Sequence, residues 1–567
     1  MKKFIKTAAV ASALIMGSSI GFSANAANVK ITPISAKSDI IAVANDEPKT
    51  TLEVTGELPE KYSSRDLGFQ TPIRNQGTTN ICWSFAAMAS LETRLVKDNK
   101  ISPVQSSWFS VSHPDAWATP RNDGSGWVRN YQKSNGFPFI STGYLTSWSG
   151  AIKEEKFPFL SPLSMFEPAK KEDVQYGVTG IMYLNGDDKD TIKKCIMDYG
   201  AVTSSYNSNS KFTKNSTNTY CPEKQPVENI VGHNISVVGW DDNYSKDNFL
   251  TPPPEDGAWL IKNSWGPNSE FGGYAWISYY DYYLFSNVFG ITYCYTDYMT
   301  VEEHNNIYQN EIDGAVYEFN YLDDILYHYS KDNPNDLVPY TLGLKDNVYI
   351  NVLDFNKDNE FLDKIVFETT SIGADYTLYY IPTDSEGVPT VQENLWKELG
   401  SGKVDYSGYI CADIENFPIP SEKAAIGVRI DTTNVADKEI KNGIGVSEWL
   451  TNGDTLLYNT DAKKGESFLY FDEEMMDVMD FYKQYCGDDQ GGTLVIKAIT
   501  TKESSILGDA NLDGILDISD ASLIQKYTIH SQDLSEQSLI NSDFNKDGKV
   551  NILDCTQIQK KIAGLIE

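Results

Sequence analysis

The stretch Thr71-Pro72-Ile73-Arg74-Asn75-Gln76-Gly77-Thr78-Thr79-Asn80-Ile81-Cys82-Trp83-Ser84-Phe85-Ala86-Ala87-Met88-Ala89-Ser90-Leu91-Glu92 decides how the rest of the chain is read. It opens as a loop around Gly77 and becomes helical after Cys82. Phe85, Met88, Ala89 and Leu95 recur at three- and four-residue spacing, while Glu92 and Arg94 fall off that face. Cys82 is thereby expected at a helix N-terminus, where unpaired N–H groups and the macrodipole favour a thiolate over a thiol. A lone cysteine before a helix is more often a buried apolar residue, so its partners elsewhere in the chain decide the matter.

Two later stretches supply partners. Val231-Gly232-His233-Asn234-Ile235-Ser236-Val237-Val238-Gly239-Trp240-Asp241 reads as a strand carrying one of only five histidines in the chain, and a histidine beside a thiol is a general base. Gly257-Ala258-Trp259-Leu260-Ile261-Lys262-Asn263-Ser264-Trp265-Gly266, followed by Gly272-Gly273-Tyr274, is a second strand that ends in polar and aromatic residues. Taken together, the three stretches resemble the papain family of cysteine peptidases, in the family's order Cys, His, Asn. Leu58-Pro59 and Thr71-Pro72-Ile73 resemble the start of the family's mature fold. The resemblance implies an α+β fold over residues 58–298, with a helical subdomain and a β-barrel subdomain.

It also implies roles. Cys82 is the nucleophile, His233 the base that takes its proton, and Asn263 the acceptor that orients His233. Gln76, six residues before the cysteine, joins the Cys82 backbone N–H in an oxyanion hole. Trp265 shields the His233–Asn263 bond, and Gly136, in Asn135-Gly136-Phe137-Pro138-Phe139, pairs its backbone with the second substrate residue on the acyl side. The departures from the family pattern are Thr79 where many members carry a disulfide cysteine, Asn80 and Ile81 in place of small residues, and Asn234 in place of alanine. Asn80 and Ile81 are expected to narrow the cleft floor.

Working outward, Lys2, Lys3 and Lys6, an apolar run from Ala8 to Met16 and Ala24-Asn25-Ala26 form the pattern of a secretory signal peptide over residues 1–26. The Gly17-Ser18-Ser19 break makes the run too short for a membrane span. A leader over 27–57 is far shorter than the family's inhibitory prodomain, so weak or no zymogen control is expected. The chain has 567 residues, enough for several domains of roughly 100–200 residues each. With 47 Lys and Arg against 79 acidic residues, its formal charge of -32 disfavours nucleic acid and anionic lipid as partners. Seven scattered cysteines, an odd number, do not make a disulfide framework.

Residues 305–500 show alternating runs such as Lys364-Ile365-Val366-Phe367-Glu368, Tyr376-Thr377-Leu378-Tyr379-Tyr380 and Gly492-Thr493-Leu494-Val495-Ile496. These predict an antiparallel β-sandwich. Its position and length are similar to the lectin-like domain of clostridial papain-like proteins, which implies either a glycan-binding module or a structural buttress.

After a linker at 501–506, residues 507–567 hold a duplicated loop. Asp509, Asn511, Asp513, Asp517 and Asp520 take loop positions 1, 3, 5, 9 and 12, with Gly514 at 6 and Ile515 at 7. Asp543, Asn545, Asp547, Asn551 and Asp554 repeat the pattern 34 residues later, with Gly548 and Lys549 at 6 and 7. Position 7 supplies a backbone carbonyl, and the whole set suits Ca²⁺. Each loop is predicted to run into one helix, Ala521–Tyr527 and Cys555–Ala563. The unit resembles a type I dockerin, which implies two calcium ions and a cohesin partner on a scaffoldin or bacterial cell surface, in a cellulosome-type complex for polysaccharide catabolism. Partner-reading positions would be Ile518-Ser519 and Ile552-Leu553. The sequence thus points to a multidomain, secreted cysteine peptidase acting on protein or peptide. The alternative is a binding protein on an inactive peptidase scaffold.

Overall fold

The computed structural model describes residues 50–566 except 55, 137, 269–270, 303–304, 312, 314–316, 321–325, 330–336, 341–346, 357–359, 421, 436–442, 449, 453–454, 472, 484–490, 503–505 and 513–514. The expected signal peptide, the leader up to residue 49, and Asp513 and Gly514 lie outside the described residues. Among the described residues, no helix is long and apolar enough to cross a membrane.

A helix does begin at Cys82 and runs to Lys97, in a segment rich in Ala, Leu and Met. It is buried around most of its circumference, which differs from the single apolar face read from the sequence. Glu92, expected off that face, is 1% exposed. It accepts from Thr71 Oγ1 (2.6 Å) and the Phe109 N–H (2.9 Å) and pairs with Arg74, so its charge is matched inside the protein. Two shorter helices, Ser112–Trp117 and Pro138–Thr146, pack beside it around Phe85, Met88, Leu91, Phe139 and Tyr144.

The second half is a sheet. Strands Tyr176–Tyr183, Tyr293–Thr300, Val202–Asn207, Gly232–Asp241, Ala258–Lys262 and Tyr274–Ser278 lie side by side in that order, each antiparallel to the next. Ser236 pairs with Lys262 in antiparallel register, so His233, three residues before the one, and Trp265, three residues after the other, come to the same end of the sheet. The helix Lys189–Tyr199, capped by the Asp188 side chain, packs Ile192 and Ile196 against Val237, Trp240 and Trp259.

The middle domain is the expected sandwich. One sheet orders the strands Lys397–Lys403, Asp375–Pro382, Lys423–Asp431, Val348–Asp354, Ser467–Phe471 and Glu474–Asp477. It packs Leu378, Ile426, Val428 and Leu469 against Ile365, Phe367, Ile410 and Ile496 of the other. That other sheet does not stop at the domain. Gly408 and Tyr409 pair with Met182 and Ile181, so Gly408–Pro418, Phe361–Thr369, Ile496–Thr501 and Asn305–Tyr308 continue the sheet that carries His233. Thr50 is held at the same junction: its N–H donates to the Tyr183 carbonyl (3.1 Å) and its hydroxyl accepts from the Ser407 N–H (2.9 Å).

At the C-terminus, helices Ile518–Thr528 and Ile552–Ile562 follow the two loops, and a third, Glu536–Ser542, precedes the second loop. Ala521 and Ile524 meet Cys555 and Ile558, the same two positions of each repeat.

Candidate active site

The folded chain brings together residues 150 and more apart in sequence. Cys82 is the first residue of its helix, which has no side-chain cap and no acidic residue in its first turn, so nothing offsets the positive helix end there. His233 is the second residue of its strand and is 4% exposed. Its Nε2 lies 2.9 Å from Asn263 Oδ1, a contact that makes Nε2 the protonated nitrogen and turns Nδ1 to the sulfur. Asn263 Oδ1 also accepts from the Ser264 N–H (2.7 Å), which fixes the amide. Trp265 stacks on the His233 ring at 4.7 Å and 26°, and Tyr206 meets it edge-on from the neighbouring strand. Trp265 is itself 47% exposed, so it covers the His233–Asn263 pair from the solvent side.

Gln76 lies in the loop before the helix and is buried. Its Oε1 accepts from Ser264 Oγ (2.5 Å), and one hydrogen of Nε2 goes to the Thr79 carbonyl (2.9 Å). The amide is thus oriented by two bonds, and neither uses its second N–H. Thr79 also donates its hydroxyl to the Gln76 carbonyl (2.8 Å), so the residue that stands at the family's disulfide position closes the loop by hydrogen bonds instead.

Burial pushes the Cys82 thiol up. The hydrogen bond and charge of His233, with backbone and side-chain bonds from Asn234, more than offset it, and the thiol falls to about 7. Asn234 Nδ2 lies 3.7 Å from Sγ. Behind the pair, a small cavity is lined by Arg74, Glu92, Asn234, Lys262, Asn263 and Ser264. Lys262 Nζ donates there to the Thr71 carbonyl (2.8 Å) and hydroxyl (3.0 Å), and burial draws its ammonium down to about 8 despite the pull of Glu92.

Gly136 sits against the indole of Trp83; a Cβ there would fall 2.4 Å from Trp83 Nε1, so only glycine allows this approach beside the nucleophile position. Ile81 is fully buried in the helical core, which corrects the expectation that it narrows the cleft floor. Asn80 is tied to the Gln132 and Lys133 carbonyls (3.1 and 2.6 Å). The sequence reading did not assign work to Asn234, Lys262 or Glu92. Asn234 was visible only as a departure from alanine, and the buried state of the two charges has no local sequence signal.

The duplicated loops place their acidic residues differently. Asp520 and Asp554, both at position 12, are buried and cap their helices through capping boxes with Asp517 and Asn551. Asp520 accepts the N–H groups of Ala510 (2.9 Å), Asn511 (3.1 Å) and Asp517 (2.9 Å). Burial, together with the charge of Asp509, raises its carboxyl. In the second loop, Asp543 accepts from Asp547 and Gly548, Asp547 from Lys549, and Asp554 from Asn545 and Asn551. Among the described residues no three acidic, histidine or cysteine side chains converge on one point. The donors themselves fit calcium: they are oxygens, mutually repelling when bare, around a glycine turn at Gly548 (φ 82°).

Comparisons with known proteins agree with this layout. A family model described as papain family cysteine protease matches residues 58–292, one described as a lectin-like domain matches 329–500, and one described as a type I dockerin domain matches 507–563. Cathepsin K of Mus musculus is 23% identical over 233 residues, 40% of this chain and 61% of the relative. Cathepsin L2 of Homo sapiens is 24% identical over 226 residues, 39% and 61%. The chain thus spans 61% of the length of these relatives. Among solved structures, the cysteine protease and lectin-like domains of Cwp84, a surface layer associated protein of Clostridium difficile, align at 31% identity and a TM-score of 0.66 over 80% of this chain and 91% of that one. Cwp84 after propeptide cleavage aligns at 32% identity and 0.65, over 78% and 99%.

Proposed function

Because the chain belongs to the papain family of cysteine proteases, in the form where a lectin-like domain follows the protease, we propose that it is a secreted peptidase that cuts peptide bonds through a Cys82 thioester. The observation that carries this reading is the placement of His233 between Cys82 and Asn263, its far nitrogen 2.9 Å from Asn263 Oδ1, which lowers the Cys82 thiol to about 7. In the reaction, Cys82 Sγ attacks the scissile carbonyl carbon as its proton passes to His233 Nδ1. The oxyanion that forms takes hydrogen bonds from the Cys82 backbone N–H and the second N–H of Gln76. Collapse of the adduct breaks the C–N bond, and His233 gives its proton to the leaving amine. Water, deprotonated by His233, then attacks the thioester and returns Cys82. Gly136 would hold the acyl-side substrate backbone beside Trp83, and Trp265 keeps water from the His233–Asn263 bond.

An epoxide inhibitor of cysteine proteases tests this in the full chain. Covalent labelling that disappears in Cys82→Ala is expected; an unlabelled native protein would favour the inactive-scaffold alternative.

The dockerin is proposed to dock the enzyme to a cohesin of a cellulosome-type, polysaccharide-degrading complex at the cell surface. One calcium ion would be held by Asp509, Asn511, Asp513, the Ile515 carbonyl, Asp517 and Asp520, and a second by Asp543, Asn545, Asp547, the Lys549 carbonyl, Asn551 and Asp554. Bound there, the ions neutralise clustered carboxylates and brace the loops. For the middle domain, the continuous sheet at Gly408–Tyr409 supports a buttressing role over glycan binding. The leader is proposed to exert weak control or none. An N-terminal truncation that raised activity many-fold over the signal-cleaved form would refute that.

A further inference from the structure

The position after His233 is one of those where this chain departs from the family pattern, and the structure shows what the side chain there touches. Asn234 lies on the same strand as the histidine, and its amide spans two partners. Oδ1 accepts from Ser205 Oγ at 3.0 Å, and Nδ2 points at Cys82 Sγ at 3.7 Å. A serine hydroxyl can either donate or accept, so Ser205 alone would permit both amide orientations. The sulfur decides between them: an anionic sulfur repels a carbonyl oxygen and attracts an N–H. Ser205 then locks the amide in that orientation from the adjacent strand, where it pairs with Asn234. An alanine, the family's usual residue here, has no such group.

We infer that Asn234 is a further residue acting on the reacting atom: its side-chain N–H stabilises the Cys82 thiolate through an uncharged donor, in addition to the charge of His233. This rests on the reading of Cys82 as the nucleophile. The lowering of the Cys82 thiol has a side-chain contribution from Asn234, separate from its backbone N–H. The charged and titratable groups around the sulfur are His233 on the same strand, Arg129 with its partner Asp115 beneath Trp83, the neutral phenol of Tyr206 on the neighbouring strand, and Arg74, Glu92 and Lys262 around the cavity behind the helix. The Asn234 amide bonds to Ser205 and Cys82, so shortening it takes no hydrogen bond from these groups. The amide differs from His233 in one respect: it has no proton to lose in the working range, so its support of the thiolate persists after the imidazolium has titrated.

The test is the pH dependence of iodoacetamide alkylation at Cys82, read by mass spectrometry in the full chain. Asn234→Ala should move the midpoint up by about one pH unit, as expected for loss of one hydrogen bond to a charged group. It should leave the limiting rate at high pH unchanged. Ser205→Ala should move the midpoint up by less, through a loosened amide. Asn234→Asp, nearly isosteric and so safe for folding, puts a carboxylate beside the sulfur and should raise the midpoint further than the alanine variant. Coincident profiles for native, Asn234→Ala and Asn234→Asp would overturn the inference. A native midpoint at the ordinary thiol value would instead overturn the reading of Cys82 as an activated nucleophile, so the two failures are distinguishable.

Discussion

Replacing His233 by alanine removes the main groups that hold down the Cys82 thiol, and the structure sets the size of the effect. Burial alone would place the thiol above its ordinary 9.0; the His233 bond and charge, with help from Asn234, bring it to about 7. That net change corresponds to about 3 kcal/mol in favour of the thiolate. In His233→Ala, the two largest contributions opposing burial are gone, so the thiol should return to 9 or beyond. At pH 7 the thiolate fraction then falls from about one half to about 1%, and alkylation should slow about fifty-fold. The measurement is the rate of iodoacetamide modification from pH 5 to 10, resolved by peptide. The chain carries its own controls. Burial pushes the Cys221 thiol up to about 11 and that of Cys411 up to about 12, so neither should react near neutrality. A His233→Ala midpoint still near 7 would refute the account, because the histidine would then not be what lowers the thiol.

Gln76→Ala should lower kcat by about 10²–10³ with little change in KM, since the amide is set to meet charge that appears only in the transition state; steady-state kinetics on a fluorogenic peptide would show it, and a pure KM effect would contradict it. Lys262 supplies a stability signature. Its ammonium is drawn from 10.5 to about 8 by burial. Stability at this site is full above pH 10.5 and is lost as pH falls to 8, by about 3 kcal/mol. Lys262→Met should flatten that part of the denaturation-midpoint profile relative to native, and parallel profiles would count against the shift. Excess EDTA should abolish cohesin binding and reduce helix content in the dockerin while leaving inhibitor labelling of Cys82 intact; binding retained in EDTA would sink the calcium reading.

Much of the site was legible because its chemistry is written in short motifs. Asn75-Gln76-Gly77, Cys82-Trp83, His233 and Asn263-Ser264-Trp265 each carry in their flanking residues the role proposed for them, and strand register then delivers His233 and Trp265 to one place. The sandwich was legible from period-two runs such as Lys364–Glu368, which lies in the strand Phe361–Thr369. What local pattern could not carry was long-range pairing. Glu92 reads as a surface charge until Arg74 and Thr71 meet it. Ile81 reads as a cleft residue until the helix turns it inward. The third dockerin helix, Glu536–Ser542, is only seven residues long and too short for periodicity to reveal.

The sheet that runs from the His233 strand into the middle domain bears on how this protein can be divided. Sequence motifs suggest a cut near residue 300, yet the strand Tyr176–Tyr183 has one edge paired to Tyr293–Thr300 and the other to Gly408–Tyr409. A fragment ending near 300 would bare backbone donors and acceptors flanked by Ile181 and Met182, a template for self-association. For engineering of this chain, peptidase and middle domain are therefore best moved as a pair, whereas the dockerin, with its own core around Ala521, Ile524, Cys555 and Ile558, is the part suited to grafting elsewhere.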